Sequence, residues 1–266
     1  MRSLREMRAA IIDMDGVLWE GERPKPGLIA FFETLRARQS RFVLATNNAS
    51  QTPEQYVGKL ARLGVTVSRD EVLTSAQAAA LYLRRQAVNG TRVFAIGEDG
   101  LRQALAEHGL SLCDLYEVDA RYVVCGMDRG LSWDKLATAT LNIRAGATFI
   151  GANPDVTLPT ERGVTHGNGA ILAALQAATG VAPVIIGKPE PIMYQQALAI
   201  LQADPAATVA IGDRLDTDIL GAIRAGISSV LVLSGIATRA QLAASDHQPT
   251  WIMQDIAEIT RVLIDA

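Results

Sequence analysis

Short apolar runs alternate along this chain with longer segments whose apolar residues recur at helical spacing. A run with no polar member has no face to offer water, so it suits a strand covered on both sides, as in a parallel sheet. Runs of this kind, three of them with one polar residue at or near the start (Arg41, Thr208, Ser229), occur at Ala9–Ile12, Arg41–Ala45, Val184–Ile186, Ala207–Ile211 and Ser229–Leu233, with a short one at Val72–Leu73. Between them lie helical patterns from Leu28, from Pro53 to about Leu63, from Ala76 to Arg85, from Met193 to about Leu201, from Ile219 to Ala225 and from Ile256 to Ile264. Pro53 fits a first helical turn, and Gly64 and Gly226 fit helix stops.

From about Tyr82 to Val181 the alternation continues as a nearly self-sufficient unit. Its strand candidates are Arg92–Ile96, Tyr122–Cys125 and Thr148–Ile150, and its helices lie near Leu101–His108, Trp133–Ala145 and Gly169–Ala178. Strands alternating with helices imply parallel βαβ construction, hence an α/β fold with a Rossmann-like parallel-sheet core. The expected division is a discontinuous core over 1–80 and 183–266 and an inserted α/β unit over 81–182.

The apolar strands end in polar side chains: Asp13 and Asp15 after the first, Thr46, Asn47 and Asn48 after the second, Lys188 after the third, and Asp213 and Asp218 after the fourth. In a parallel sheet all carboxyl ends share one edge, where ligands bind, so these groups are expected to converge. Gly16 allows a turn that rotates Asp15 away from the register of Asp13. Taken singly each has an ordinary explanation: a strand followed by a turn, a solvated loop lysine, acids at a helix N-terminus. Together they suit phosphoryl transfer. Clustered carboxylates form a hard oxygen site for Mg²⁺, a carboxylate nucleophile splits the displacement through an aspartyl phosphate, and a neighbouring acid protonates the leaving oxygen and then activates water. Lys188 can hold nucleophile and phosphoryl oxygens together, and Thr46 with nearby N–H groups can donate to the same oxygens.

Composition narrows the partners. The 266 residues carry 49% hydrophobic and 20% charged side chains, enough for a substantial core in one large or two ordinary domains. A net charge of −3 does not favour a nucleic acid polymer or an anionic membrane. Met1–Arg8 carries several charges and no long apolar block, and no run approaches the roughly 18 residues needed to span a bilayer, so a cytoplasmic location is expected. Cys113 and Cys125 are read as buried, reduced thiols.

Asp13-Met14-Asp15-Gly16-Val17-Leu18, Thr46-Asn47-Asn48, Gly187-Lys188-Pro189-Glu190-Pro191 and Gly212-Asp213-Arg214-Leu215-Asp216-Thr217-Asp218 resemble, in order and spacing, the four motifs of the haloacid dehalogenase-like (HAD) phosphatases. The large middle insertion resembles that of the class IIA, NagD-like or p-nitrophenyl phosphatase branch. The resemblance implies that Asp13 is nucleophile and metal ligand, and that Asp15 is general acid/base with its carbonyl on Mg²⁺. It further implies that Asp213 is a second ligand, that Asp218 supports a metal-bound water, that Thr46 and Asn47 hold phosphate, and that Lys188 bridges phosphate to Asp13. An acid at position 15 fits phosphate esters, which need leaving-group protonation, better than dehalogenation. The middle unit becomes a cap that selects the leaving group, and the resemblance is compatible with a homodimer through it. The richest irregular stretch in that unit, Gly151–Gly169, is expected to be a binding loop, with Asn153, Asp155, Arg162 and His166 as candidate substrate contacts.

Other phosphate motifs fail: Ala182 stands where the first Walker glycine would be, Pro189 where its Ser or Thr would be, and Leu172 where a third dinucleotide-binding glycine would fall. The leading expectation is a Mg²⁺-dependent phosphatase of small phosphorylated metabolites such as sugar phosphates, nucleotides, phosphoglycolate or p-nitrophenyl phosphate. A phosphotransferase with a non-water acceptor and a phosphoaspartate signalling module are the alternatives.

Overall fold

The computed structural model describes residues 3–160 and 162–264. The chain divides into two compact units, one formed by Met1–Thr46, Glu54–Leu73 and Lys188–Ala266, the other by Asn47–Pro53 and Thr74–Gly187.

The first unit is built on a six-stranded sheet in the order Trp251–Met253, Ser228–Val232, Thr208–Gly212, Ala9–Ile12, Arg41–Thr46, Val72–Thr74. Ala9–Ile12 is buried along its whole length and pairs in parallel on both sides, Ile12 lying opposite Ile211 and Leu44. Consecutive strands on one side of it come from the start of the chain and on the other from its end, so the order reverses there. In open α/β sheets that reversal opens a crevice at the carboxyl edge.

Helices cover the sheet with apolar stripes. In Leu28–Ala37 the buried set Leu28, Phe31, Phe32 and Leu35 follows helical spacing, and Phe32 meets Phe42 of the sheet edge-on at 5.1 Å between ring centroids. Each such fully buried aromatic or aliphatic side chain contributes about 1.5–3 kcal/mol. One continuous core joins these residues to Ile12, Leu44, Val209, Ile211 and the Ile256–Ile264 helix.

The second unit has a five-stranded sheet in the order Val184–Ile185, Thr148–Gly151, Tyr122–Cys125, Arg92–Ile96, Ser111–Leu112, all paired in parallel, with its own apolar core around Phe94, Val123, Ile143, Phe149 and Leu172. Cys113 and Cys125 are buried and unpaired, and burial pushes the Cys125 thiol far up, so it stays protonated and inert.

Three expectations need correction. The Val184–Ile186 run does not end a strand of the same sheet as Asp13: Val184 and Ile185 pair with Ile150 and Gly151 in the second unit's sheet. An apolar run identifies a strand but carries no information about which sheet accepts it. The Gly151–Gly169 stretch is only partly irregular, because Thr157–Thr160 and Gly163–His166 form an antiparallel hairpin. The helix expected from Ile219 begins earlier, with a π turn over Leu215–Ile219 that runs into Leu220–Ala225. Among the described residues no helix is long and apolar enough to cross a membrane.

Candidate active site

The Asp13 N–H donates to Ile211 O at 2.8 Å, which carries the ladder one residue beyond the Ala9–Ile12 strand and fixes where the Asp13 side chain leaves the backbone. The chain then doubles back: Leu18 N–H reaches Met14 O at 2.8 Å and Gly16 N–H reaches Trp19 O at 2.8 Å, with Gly16 at φ 83°. A side chain at Gly16 would be strained by that φ and would also collide with Asp213, whose Oδ2 lies 2.3 Å from the position of a Cβ.

Lys188 reaches the same place by another route. It follows the second unit's edge strand, precedes the Pro191–Leu201 helix, and joins Pro189 through a cis peptide. Its ammonium is buried and donates to Asp13 Oδ1 at 2.5 Å, Asp218 Oδ1 at 2.7 Å and Ala45 O at 3.1 Å, so all three of its protons are directed. Burial works against the charged ammonium, but Asp13 and Asp218 outweigh it and hold Lys188 protonated.

Asp213 follows the Thr208–Gly212 strand and is 1% exposed, so its charge depends wholly on the groups that touch it. Its Oδ2 accepts from Ile236 N–H at 2.7 Å and its carbonyl from Ala237 N–H at 3.0 Å. The loop supplying these donors approaches closely at Gly235, where a Cβ would stand 1.9 Å from Asp213 Oδ2. Asp218, on the π turn, accepts from Lys188 and from Arg214 N–H at 3.1 Å, and Tyr194 donates its hydroxyl to Asp218 O at 3.0 Å.

Carboxylate oxygens of Asp13, Asp213 and Asp218 lie within 4.8 Å of one another. Three acids face one lysine, and the titration reflects the imbalance. Burial raises the Asp13 carboxyl well above the usual range against the pull of Lys188, with Asp218 and Asp213 adding to the rise. Burial and then Asp218 push Asp213 up to about 6. The donor set consists of hard oxygens with negative charge left uncompensated, which fits Mg²⁺. Cys113, Glu117 and Asp119 also lie close enough to share an ion, but Arg92 already pairs with both of those acids. That group is neutralised by the protein itself.

The remaining sequence candidates fall into distinct settings. Thr46 is buried at the end of its strand, and Asp15 is exposed, with Oδ1 accepting from the Trp19 indole N–H at 2.8 Å. Asn47 and Asn48 belong to the second unit. Asn47 Nδ2 donates to the Asp155 carboxylate at 3.2 and 3.3 Å, while Asn153 donates to Asn47 O at 2.7 Å and Asn168 to Asn153 O at 2.7 Å. Asn48 Oδ1 accepts from Ser50 N–H at 2.9 Å and Ser50 Oγ at 2.7 Å, which makes it a turn former. Arg162 and His166 are exposed at the hairpin. Tyr194, Trp19 and the Ser234–Ile236 loop belong to none of the four motifs. Only the last carried a signal, small residues directly after an apolar strand.

Residues 10–111 match the model of the haloacid dehalogenase-like hydrolases, and residues 185–259 match a HAD-hydrolase-like model. The chain is 39% identical over 253 residues to an acid sugar phosphatase of Staphylococcus haemolyticus, covering 95% of each. It belongs to the haloacid dehalogenase-like hydrolases.

Solved structures place it in the NagD-like branch of this HAD family. A 4-nitrophenylphosphatase from Thermotoga maritima superposes with a TM-score of 0.92 at 31% identity over 98% of both chains. A glycerol phosphate phosphatase from Mycobacterium tuberculosis, solved in complex with magnesium, gives 0.89 at 38% identity, covering all of this chain and 81% of the other. The two family models match residues on either side of the stretch 112–184, and Asp13, Lys188, Asp213 and Asp218 all lie inside the matched parts.

Proposed function

We propose that this phosphoric monoester hydrolase acts on small phosphorylated metabolites through a phosphoaspartate at Asp13, with Mg²⁺ as cofactor. The observation that carries the reading is the cluster in which Lys188 bridges Asp13 and Asp218 while an Asp213 carboxylate oxygen lies within 4.8 Å of both acids. In the first step the Asp13 carboxylate attacks phosphorus, the ester bond breaks, and the leaving oxygen takes a proton from Asp15. In the second, Asp15 accepts a proton from water, whose oxygen attacks the phosphoaspartate and releases inorganic phosphate and the free Asp13 carboxylate. Lys188 keeps Asp13 oriented and supplies positive charge where the phosphoryl oxygens gather, and Thr46 donates to the same oxygens. Asp13, Asp213, Asp218 and the Asp15 carbonyl are the candidate ligands of Mg²⁺, which when bound neutralises the repulsion between carboxylate and phosphate.

The named substrates of the relatives, sugar phosphates, 4-nitrophenyl phosphate and glycerol phosphate, support a small, soluble monoester as the substrate class. The test is phosphate release from glycerol phosphate and p-nitrophenyl phosphate with Mg²⁺, by the parent protein and by Asp13→Asn. The variant should lose turnover by more than a thousandfold with its fold intact by circular dichroism. Turnover within tenfold of the parent would refute the assignment. Product analysis with added glycerol or glucose separates water from a competing hydroxyl acceptor, and only water is expected to receive the phosphoryl group.

A further inference from the structure

Asp15 must deliver a proton in one half of the proposed reaction and take one back in the other, yet it is exposed and sits on a turn. An exposed aspartate on a turn ordinarily samples several rotamers. Here it does not stand alone. The indole N–H of Trp19 donates to Asp15 Oδ1 at 2.8 Å, while Oδ2 has no hydrogen-bond partner among the described residues.

The indole is itself held firmly. Trp19 is wholly buried, its ring stacks on Tyr56 at 6.4 Å between centroids and 19° between planes, and the Lys59 ammonium lies 4.6 Å from the indole. Lys59 also donates to Gly21 O at 2.7 Å, which ties the Trp19–Glu20 and Arg23–Pro24 hairpin to the Pro53–Arg62 helix. The Gly16 N–H to Trp19 O bond closes the turn from the other side. A well-held donor thus faces the Asp15 carboxyl group.

We propose that Trp19 is a positioning residue for Asp15, fixing its rotamer and assigning its two oxygens different tasks. An indole N–H donates and cannot accept, and the unprotonated oxygen of a carboxylic acid is the stronger acceptor, so the bond to Oδ1 favours the acid proton on the other oxygen. The proton of the carboxylic acid is favoured on Oδ2, the oxygen left open for the leaving group. Oriented delivery of this kind is where general acids gain much of their hundredfold to ten-thousandfold effect. The inference rests on the acid/base assignment of Asp15 made above and goes beyond it by naming what aims the group.

The leaving group is the discriminating probe. An alkoxide leaves from glycerol phosphate only with a proton, whereas p-nitrophenolate is stabilised by resonance and leaves without one. Turnover of both substrates is measured for the parent, for Trp19→Phe, and for protein carrying 3-benzothienylalanine at position 19, which keeps the indole outline and lacks the N–H. Each substitution should lower kcat/KM, which reports the step that expels the leaving group and not the shared hydrolysis of the phosphoaspartate, at least about tenfold more for glycerol phosphate than for p-nitrophenyl phosphate. In an Asp15→Asn background neither should add a further selective loss. Equal losses on the two substrates, or no loss, would overturn the role of Trp19 while leaving that of Asp15 intact. If Trp19→Phe unfolds, the isosteric analogue alone decides. Parent-like turnover of glycerol phosphate by Asp15→Asn would overturn the acid assignment itself and the inference with it.

Discussion

Replacing Lys188 with Met keeps most of the side-chain volume and removes the cation that bridges Asp13 and Asp218. At 2.7 Å and an effective dielectric near 20, the attraction of Lys188 for the Asp218 carboxylate alone is about 6 kcal/mol before desolvation is charged against it. Removing one partner of a buried ion pair costs about 3–5 kcal/mol net, because the other charge stays behind unpaired. For a chain of this size that corresponds to a Tm loss of about 10 °C. The loss should depend on pH, because the stranded acids can answer by binding protons. Asp13 and Asp213 are already raised in the parent, Asp213 to about 6. At pH 8 Asp213 is ionised and the variant bears the full penalty of that charge; at pH 5 Asp213 is largely neutral, so less charge is left without the lysine. Thermal unfolding at the two values, in chelator and at constant ionic strength, should show a loss at pH 5 less than half of that at pH 8. Equal losses at both, or none, would mean that Lys188 is not the charge holding these acids in place.

Two further outcomes follow from the same cluster. Asp213 has a folded pKa of about 6, above the unfolded value near 3.9, so its contribution to stability is fully present below pH 4 and is lost as pH rises through 6, a swing of about 3 kcal/mol. A divalent cation offsets that loss, so the Tm gain on adding Mg²⁺ should grow between pH 5 and pH 7, and a gain independent of pH would contradict the site. Gly235→Ala sets a methyl group against Asp213 Oδ2 and should cost about 1–3 kcal/mol and weaken Mg²⁺-dependent stabilisation, whereas the parent Tm and Mg²⁺ response would show that the loop yields freely.

Asp13 and Asp213 are legible because each sits directly after a strand whose burial on both faces forces a largely apolar run, Ala9–Ile12 before Asp13 and Thr208–Gly212 before Asp213. Lys188 was found for a reason that proved incomplete: its apolar run is a strand, but one paired with Thr148–Gly151 in the other unit's sheet. Sheet membership is decided by pairing across a large sequence distance, which periodicity does not record. The hairpin at Thr157–Thr160 and Gly163–His166 is illegible for the opposite reason, since Gly163–His166 is exposed and carries no apolar signal. Asn48 shows the limit of composition: its carboxamide oxygen closes a turn on Ser50, and nothing in the triplet Thr46-Asn47-Asn48 distinguishes it from Asn47, which binds Asp155.

The strand Ala9–Ile12 lies between Arg41–Thr46 and Thr208–Gly212, and the second of those neighbours is about two hundred residues away along the polymer. On a ribosome adding 5–20 residues per second, the earliest strand has one flank open for roughly 10–40 s before its other partner exists. In that interval Thr74–Gly187 emerges and can close on its own core, so the later-made region matures ahead of the one begun first. The half-built sheet meanwhile presents a bare apolar margin, and the newborn chain is most vulnerable to clumping during that wait.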